Sequence, residues 1–157
     1  AKDINLSDVE PTFRKLKRAG FTIFVDFMIG LPGEQAQEIR RSIDFAKGIV
    51  ADFAQFSIFI PLPKTAIYEE GVKTGLIKGD YWLEFARNPR PSFTPPFWNQ
   101  NLSDEQLLSW YKTAIRNFYF RPRYILKRLV GIRSLQELRR YVRLALRLFT
   151  HAFSKRG

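Results

Sequence analysis

Val9, Phe13 and Leu16 recur at helical spacing behind Ser7-Asp8-Val9-Glu10, a run with the form of a capping box. Pro11 falls in the first turn, where proline is tolerated, and Gly20 is the expected left-handed cap. Phe21 to Ile29 follows as an almost unbroken apolar run, which reads as a strand buried on both faces. The next helix runs roughly from Gln35 to Lys47, with Ala36, Ile39, Ile43 and Ala46 on one face and Gln35, Glu38, Arg41 and Lys47 on the other. Phe53 to Ile60 is a second buried strand. The two strands start 32 residues apart with a helix between them. That is the spacing of a right-handed βαβ crossover, so the strands should be parallel. Pro61-Leu62-Pro63 closes the second strand, and a short helix starts near Thr65.

The pattern then changes. Gly79 to Asn101, rich in proline and aromatic residues, reads as a long irregular connection. Ser103-Asp104-Glu105-Gln106 is a second capping box, opening a helix with Leu107, Tyr111, Ile115 and Phe118 on one side. Arg121-Pro122 interrupts it, and Tyr124 to Val130 is again helical. Ser134-Leu135-Gln136-Glu137 is a third capping box. The final helix carries an apolar stripe of Leu135, Leu138, Val142, Ala145, Phe149 and Ala152 beside Arg139, Arg143 and Arg147. The expected organisation is an α/β unit over 1–78, a connection over 79–102 and a basic helical extension over 103–157.

Alternation divides each strand into two faces. Phe21, Ile23, Val25, Phe27 and Ile29 share one apolar face, as do Ala54, Phe56, Ile58 and Ile60; these should meet the helices. Thr22, Phe24, Asp26 and Met28, with Phe53, Gln55, Ser57 and Phe59, form the opposite face, which should look into a lumen or crevice. Asp26 admits two readings: a structural network with Gln55, Ser57 or a neighbour outside these residues, or a group facing a ligand. The first strand ends in Gly30-Leu31-Pro32-Gly33, at the carboxyl end where parallel α/β folds place their sites. Glu34 reads as an acid favoured at a helix N-terminus or as a cofactor contact.

Composition narrows the chemistry. The chain has 157 residues and no cysteine, which excludes disulfides, thiolate zinc and a cysteine nucleophile within it. The one histidine, His151, reads as a solvated helix residue. No apolar run reaches the roughly 18–20 residues of a membrane span. No apolar leader opens the chain, and its start at Ala1, without Met, reads as that of an excised piece. Residues 1–62 hold eight basic and eight acidic side chains, whereas 111–157 hold thirteen basic and one acidic, so the net charge of +11 belongs to the C-terminal third.

Asp26-Phe27-Met28-Ile29-Gly30-Leu31-Pro32-Gly33-Glu34, with Ile43-Asp44-Phe45-Ala46, the run Asp52 to Pro63, Thr65 and Tyr68-Glu69, resembles the last third of a radical SAM core. The likeness is greatest to the subgroup that carries a cobalamin-binding domain. Tyr81 to Trp98 and Phe118-Tyr119-Phe120-Arg121-Pro122 resemble that subgroup's C-terminal extension. The resemblance implies the last βα units of a partial (β/α) TIM-like barrel. It implies S-adenosylmethionine cleaved to a 5′-deoxyadenosyl radical, for methyl transfer or cyclisation. The adenine-side contacts would fall on Met28, Ile29, Gly30, Leu31, Phe59 and Pro61, with Asp26, Gln55 and Ser57 facing the lumen near cofactor or substrate. A [4Fe–4S] cluster, and cobalamin where used, would be bound by parts of the protein outside these residues, so this segment would not be catalytic alone. Lys64 departs from the pattern, standing where the subgroup often has glycine.

The implied partners are the preceding part of the same protein and a small-molecule or lipid-like substrate, in the cytoplasm. For the basic tail, the first reading is a helix packed on the protein with a solvated arginine face. Contact with an anionic membrane surface is the second and nucleic acid the third. A non-enzymatic βα module that docks through this tail is the alternative to the enzyme.

Overall fold

The computed structural model describes residues 5–130 together with Ser134, Gln136, Arg139, Val142, Arg143 and Leu146, the side chains of 127 and 128 excepted. The stripe and third capping box of the final helix, and His151, lie largely outside the described residues. Among those described, the order is α1 (Leu6–Arg18), β1 (Phe24–Ile29), α2 (Ala36–Gly48), β2 (Phe53–Ile58), α3 (Ala66–Lys73), α4 (Tyr81–Arg87), α5 (Asp104–Tyr119) and α6 (Pro122–Val130). The strands are parallel and in register, with Phe24 opposite Phe53, Asp26 opposite Gln55 and Met28 opposite Ser57. The architecture is mixed α/β with a two-stranded parallel sheet.

The strands are not buried on both faces. Ile29, Ala54 and Phe56 pack with Ile39, Ile43 and Ala46 of α2 and Leu107, Ala114, Ile115 and Phe118 of α5 in one core. The opposite face is open: Phe24 is 57% exposed, Met28 is 49% exposed, and Asp26 and Gln55 are exposed. Helices cover only one side among the described residues. An uncovered row containing two large apolar side chains is what a sheet shows when its second layer comes from elsewhere.

Local hydrogen bonding moves several expected boundaries. The ladder begins at Phe24, not Phe21, because the preceding backbone is already engaged. The Phe21 N–H donates to Leu16 O (3.0 Å), Lys17 Nζ takes the Phe21 carbonyl (2.9 Å), and the Ile23 N–H donates to the Asp52 carboxylate (2.9 Å). That buried carboxylate also accepts from Lys17 Nζ at 2.7 Å, tying α1 to the start of β2. Asn5, not Ser7, caps α1: its side chain accepts from the Ser7 N–H. Glu10, instead of closing a box on Ser7, accepts from the Val50 N–H (2.9 Å) and pairs with Arg14.

At Ser103 the capping box forms as expected, and Pro122 sits in the first turn of α6. Within the connection, Tyr81–Arg87 is helical rather than irregular, because Asp80 accepts from the Leu83 N–H and caps it. A second core holds Tyr68, Ile77 and Trp98 against Phe59, Leu76, Tyr81 and Trp82.

Candidate functional site

The carboxyl ends of β1 and β2 converge on one turn. Gly30 (φ +77°) and Gly33 (φ +79°) bracket Leu31-Pro32 in the left-handed region that side chains rarely enter. A Cβ on Gly30 would also lie 3.0 Å from Leu107 Cδ2, so the turn needs glycine twice over, for conformation and for room beneath α5. Glu34 locks it. One carboxylate oxygen accepts from the Gly30 N–H (2.5 Å) and the Leu31 N–H (3.1 Å). This role is neither the helix-dipole acid nor the cofactor contact expected at Glu34.

The connection fastens the turn from the other side. Gln100 Oε1 accepts from the Gly33 N–H (3.2 Å) and from Trp98 Nε1 (3.1 Å), while Asn101 Nδ2 donates to Glu34 O (3.2 Å). No motif pointed to Gln100 and Asn101; their spacing after the buried Trp98 was the available signal. A groove of about 590 Å³ lies here, lined by Pro32, Gly33, Glu70, Thr74, Trp98 and Gln100.

The nine residues named from sequence fall into three groups. Met28 and Leu31 are exposed and apolar beside Gly30, offering a surface a flat ring could cover. Asp26, Gln55 and Ser57 stand with Met28 on the open strand face. Ser57 Oγ donates to Phe27 O (3.4 Å), and among the described residues the Asp26 carboxylate has no hydrogen-bond or ion-pair partner. Ile29, Phe59 and Pro61 are engaged in packing. Ile29 is fully buried, and its carbonyl accepts from the Phe59 N–H (2.8 Å). Phe59 meets Trp98 edge-to-face at 6.4 Å. Pro61 is fully buried, with its carbonyl accepting from Trp82 Nε1 (3.1 Å) and Tyr81 Oη (3.3 Å). Burial, reinforced by Asp80, raises the Tyr68 hydroxyl pKa above the ordinary tyrosine range; Tyr81 is raised mainly by burial.

Two further features mark the sheet. Tyr119 closes the outer edge of β2: its hydroxyl accepts from the Ala54 N–H (3.1 Å) and donates to the Ala54 carbonyl (2.7 Å). Just past β2, Lys64 holds φ +60°, the left-handed region that favours glycine.

The chain is 29% identical over 111 residues to an uncharacterized methyltransferase of Pyrococcus horikoshii. That relative is a distant homologue. The match covers 71% of this chain and 23% of the relative, so the chain spans less than a quarter of the length of the curated protein it matches. No protein-family model matches the chain, and no solved structure does. Among the described residues no three of His, Cys, Asp and Glu are grouped to hold a metal, and no helix is long and apolar enough to cross a membrane.

Proposed function

We propose that this chain is the closing segment of a radical SAM core in a larger methyltransferase of the cobalamin-binding type, and that it holds the adenine side of S-adenosylmethionine. The observation that carries this reading is the half-covered parallel sheet. Helices seal one face, and the other presents Asp26, Met28, Gln55 and Ser57 beneath a carboxylate-locked glycine turn, as the inner wall of a barrel would. The homologue's name supports methyl transfer, and the left-handed backbone at Lys64 supports the glycine pattern of the resemblance.

Edges support the same direction of growth. The Phe53 and Phe59 N–H groups donate to the Ile23 and Ile29 carbonyls, so the two-residue repeat turns the backbone of Phe24, Asp26 and Met28 to the far edge of β1. Tyr119 blocks the far edge of β2 at Ala54, so further strands of the barrel add beside β1.

The residues present fit S-adenosylmethionine in part. Met28 and Leu31 supply apolar contact, the Gly30 turn allows close backbone approach, and Asp26 and Gln55 can accept or donate toward polar groups of cofactor or substrate. The Gly30 and Leu31 N–H groups are committed to Glu34 and are not counted as ligand donors. S-adenosylmethionine bound here would supply a methyl group or a carbon-centred radical. A chain with no cysteine does not fit an iron–sulfur cluster, and nothing in it is assigned to cobalamin; both belong to the rest of the protein in this reading.

The test uses the protein from the complete gene, with its cluster reconstituted anaerobically and S-adenosylmethionine and a reductant added. Formation of 5′-deoxyadenosine, reduced at least about tenfold by a Met28→Glu, Leu31→Glu variant that retains its cluster, is the expected result. Absence of 5′-deoxyadenosine with cluster and S-adenosylmethionine both bound would overturn the reading.

A further inference from the structure

The last described helix faces its apolar side outward, and two anchors fix that orientation. Tyr124 donates its hydroxyl to Asp52 O (2.9 Å) and packs edge-on against Tyr119 with ring centroids 5.5 Å apart. At the preceding break, Arg121 Nε donates to Phe118 O (2.9 Å) and another guanidinium N–H to Lys47 O, with the guanidinium 4.4 Å above the Phe118 ring. With α6 pinned through Tyr124, its aliphatic side chains point away from the core. Ile125 is 41% exposed, Leu126 61%, Leu129 54% and Val130 85%. The pairs Ile125/Leu129 and Leu126/Val130 are each one turn apart, so the four make one contiguous stripe. Arg123 is exposed beside it, and the α6 sequence contains three cations and no acid. Beyond α6 the same composition continues at the surface, with Arg139, Val142, Arg143 and Leu146 exposed.

We propose that α6 is a membrane-docking element that seats this protein on an anionic lipid surface. Charge decides among occupants. Three cations and no acid in the α6 sequence, with Arg139 and Arg143 exposed beyond it, would set two copies of this helix repelling each other, so a second copy is disfavoured. A nucleic acid would use the cations but not the aliphatic stripe, and the aromatic ring of α6, Tyr124, is turned inward where it cannot stack on a base. Anionic lipid uses both: acyl chains take the stripe while Arg123 reaches the headgroups. The inference does not depend on the chemistry proposed above.

The test is flotation of the protein from the complete gene with vesicles of neutral phosphatidylcholine, with and without about 30% phosphatidylglycerol. Binding is expected on the anionic vesicles and to weaken with salt. Leu126→Glu together with Leu129→Glu should lower partitioning at least about tenfold, and Arg123→Gln about fivefold on anionic vesicles only. Both sites are exposed, so the thermal midpoint should not move, which separates lost docking from lost folding. No flotation at low salt would overturn the proposal. So would binding that survives the Leu126→Glu, Leu129→Glu change but is competed away by single-stranded RNA. Protection of a Leu126→Cys thiol from labelling in the absence of lipid would also overturn it, by showing that the rest of the protein covers the stripe.

Discussion

Replacing Glu34 by alanine should open the turn at the end of β1 without unfolding the sheet. The wild-type carboxylate accepts two backbone N–H groups, Gly30 at 2.5 Å and Leu31 at 3.1 Å. Hydrogen bonds to a charged acceptor contribute roughly 1.5–3 kcal/mol each when buried. Here the Gly30 bond is half-buried and the Leu31 bond exposed, so water can take over part of the loss. A net local cost of about 2 kcal/mol follows for Glu34→Ala. Glu34→Gln keeps an acceptor but loses the charge, and should cost about half as much.

Hydrogen exchange of a peptide covering residues 27–34 reads this directly. A loss of about 2 kcal/mol in local opening raises exchange of the Gly30 and Leu31 amides roughly thirtyfold. Exchange across β2 should be unchanged, because its ladder bonds to Ile23 and Ile29 do not involve Glu34. If S-adenosylmethionine rests against Met28 and Leu31, its affinity should fall in the order wild type, Glu34→Gln, Glu34→Ala. Unchanged exchange at Gly30 in Glu34→Ala would refute the lock. Changed exchange with unchanged cofactor affinity would keep the lock and refute its service to the ligand.

Lys64→Gly should stabilise the protein by about 0.5–1 kcal/mol. It relieves a left-handed backbone at φ +60°, offset in part by glycine's greater freedom when unfolded, and an equal or lower denaturation midpoint would refute it. The tyrosines of the second core set an alkaline limit. Burial first, then Asp80, raises Tyr68, and burial chiefly raises Tyr81. The folded state therefore binds these protons more tightly than the unfolded state does. That stabilisation is complete below the unfolded tyrosine value of about 10 and is lost as pH rises through the higher folded values. Thermal midpoints followed upward from about pH 9 should fall, and Tyr68→Phe should flatten the fall; an unchanged slope would sink the assignment.

What was legible in the chain was what repeats. The 32-residue strand spacing fixed a parallel pair, and alternation placed Asp26, Met28, Gln55 and Ser57 on one face, because a period of two admits only one partition. What escaped was set by choices among equivalent partners. Ser7-Asp8-Val9-Glu10 has the form of a capping box, yet Asn5 caps α1, because Glu10 serves the Val50 N–H across the interface. Phe21 has every attribute of a strand residue, yet its backbone closes α1 through Leu16 and Lys17. Nor does local pattern distinguish a strand covered by its own chain from one covered by another segment: Phe24 and Met28 look like core and stand in the open. The same ambiguity recurs in α6, where Leu126 and Leu129 look like core and face outward. The two exposures differ in their surroundings. Beside Phe24 and Met28 lie strand-edge amides that find no partner among the described residues, and under the barrel proposal these call for another strand. Leu126 and Leu129 sit on a helix, which bonds its own backbone, with Arg123 exposed beside them, and under the docking proposal they call only for an apolar layer and negative charge. Under the two proposals, backbone hydrogen bonding is thus what separates a face left for the rest of the protein from a face left for a membrane surface.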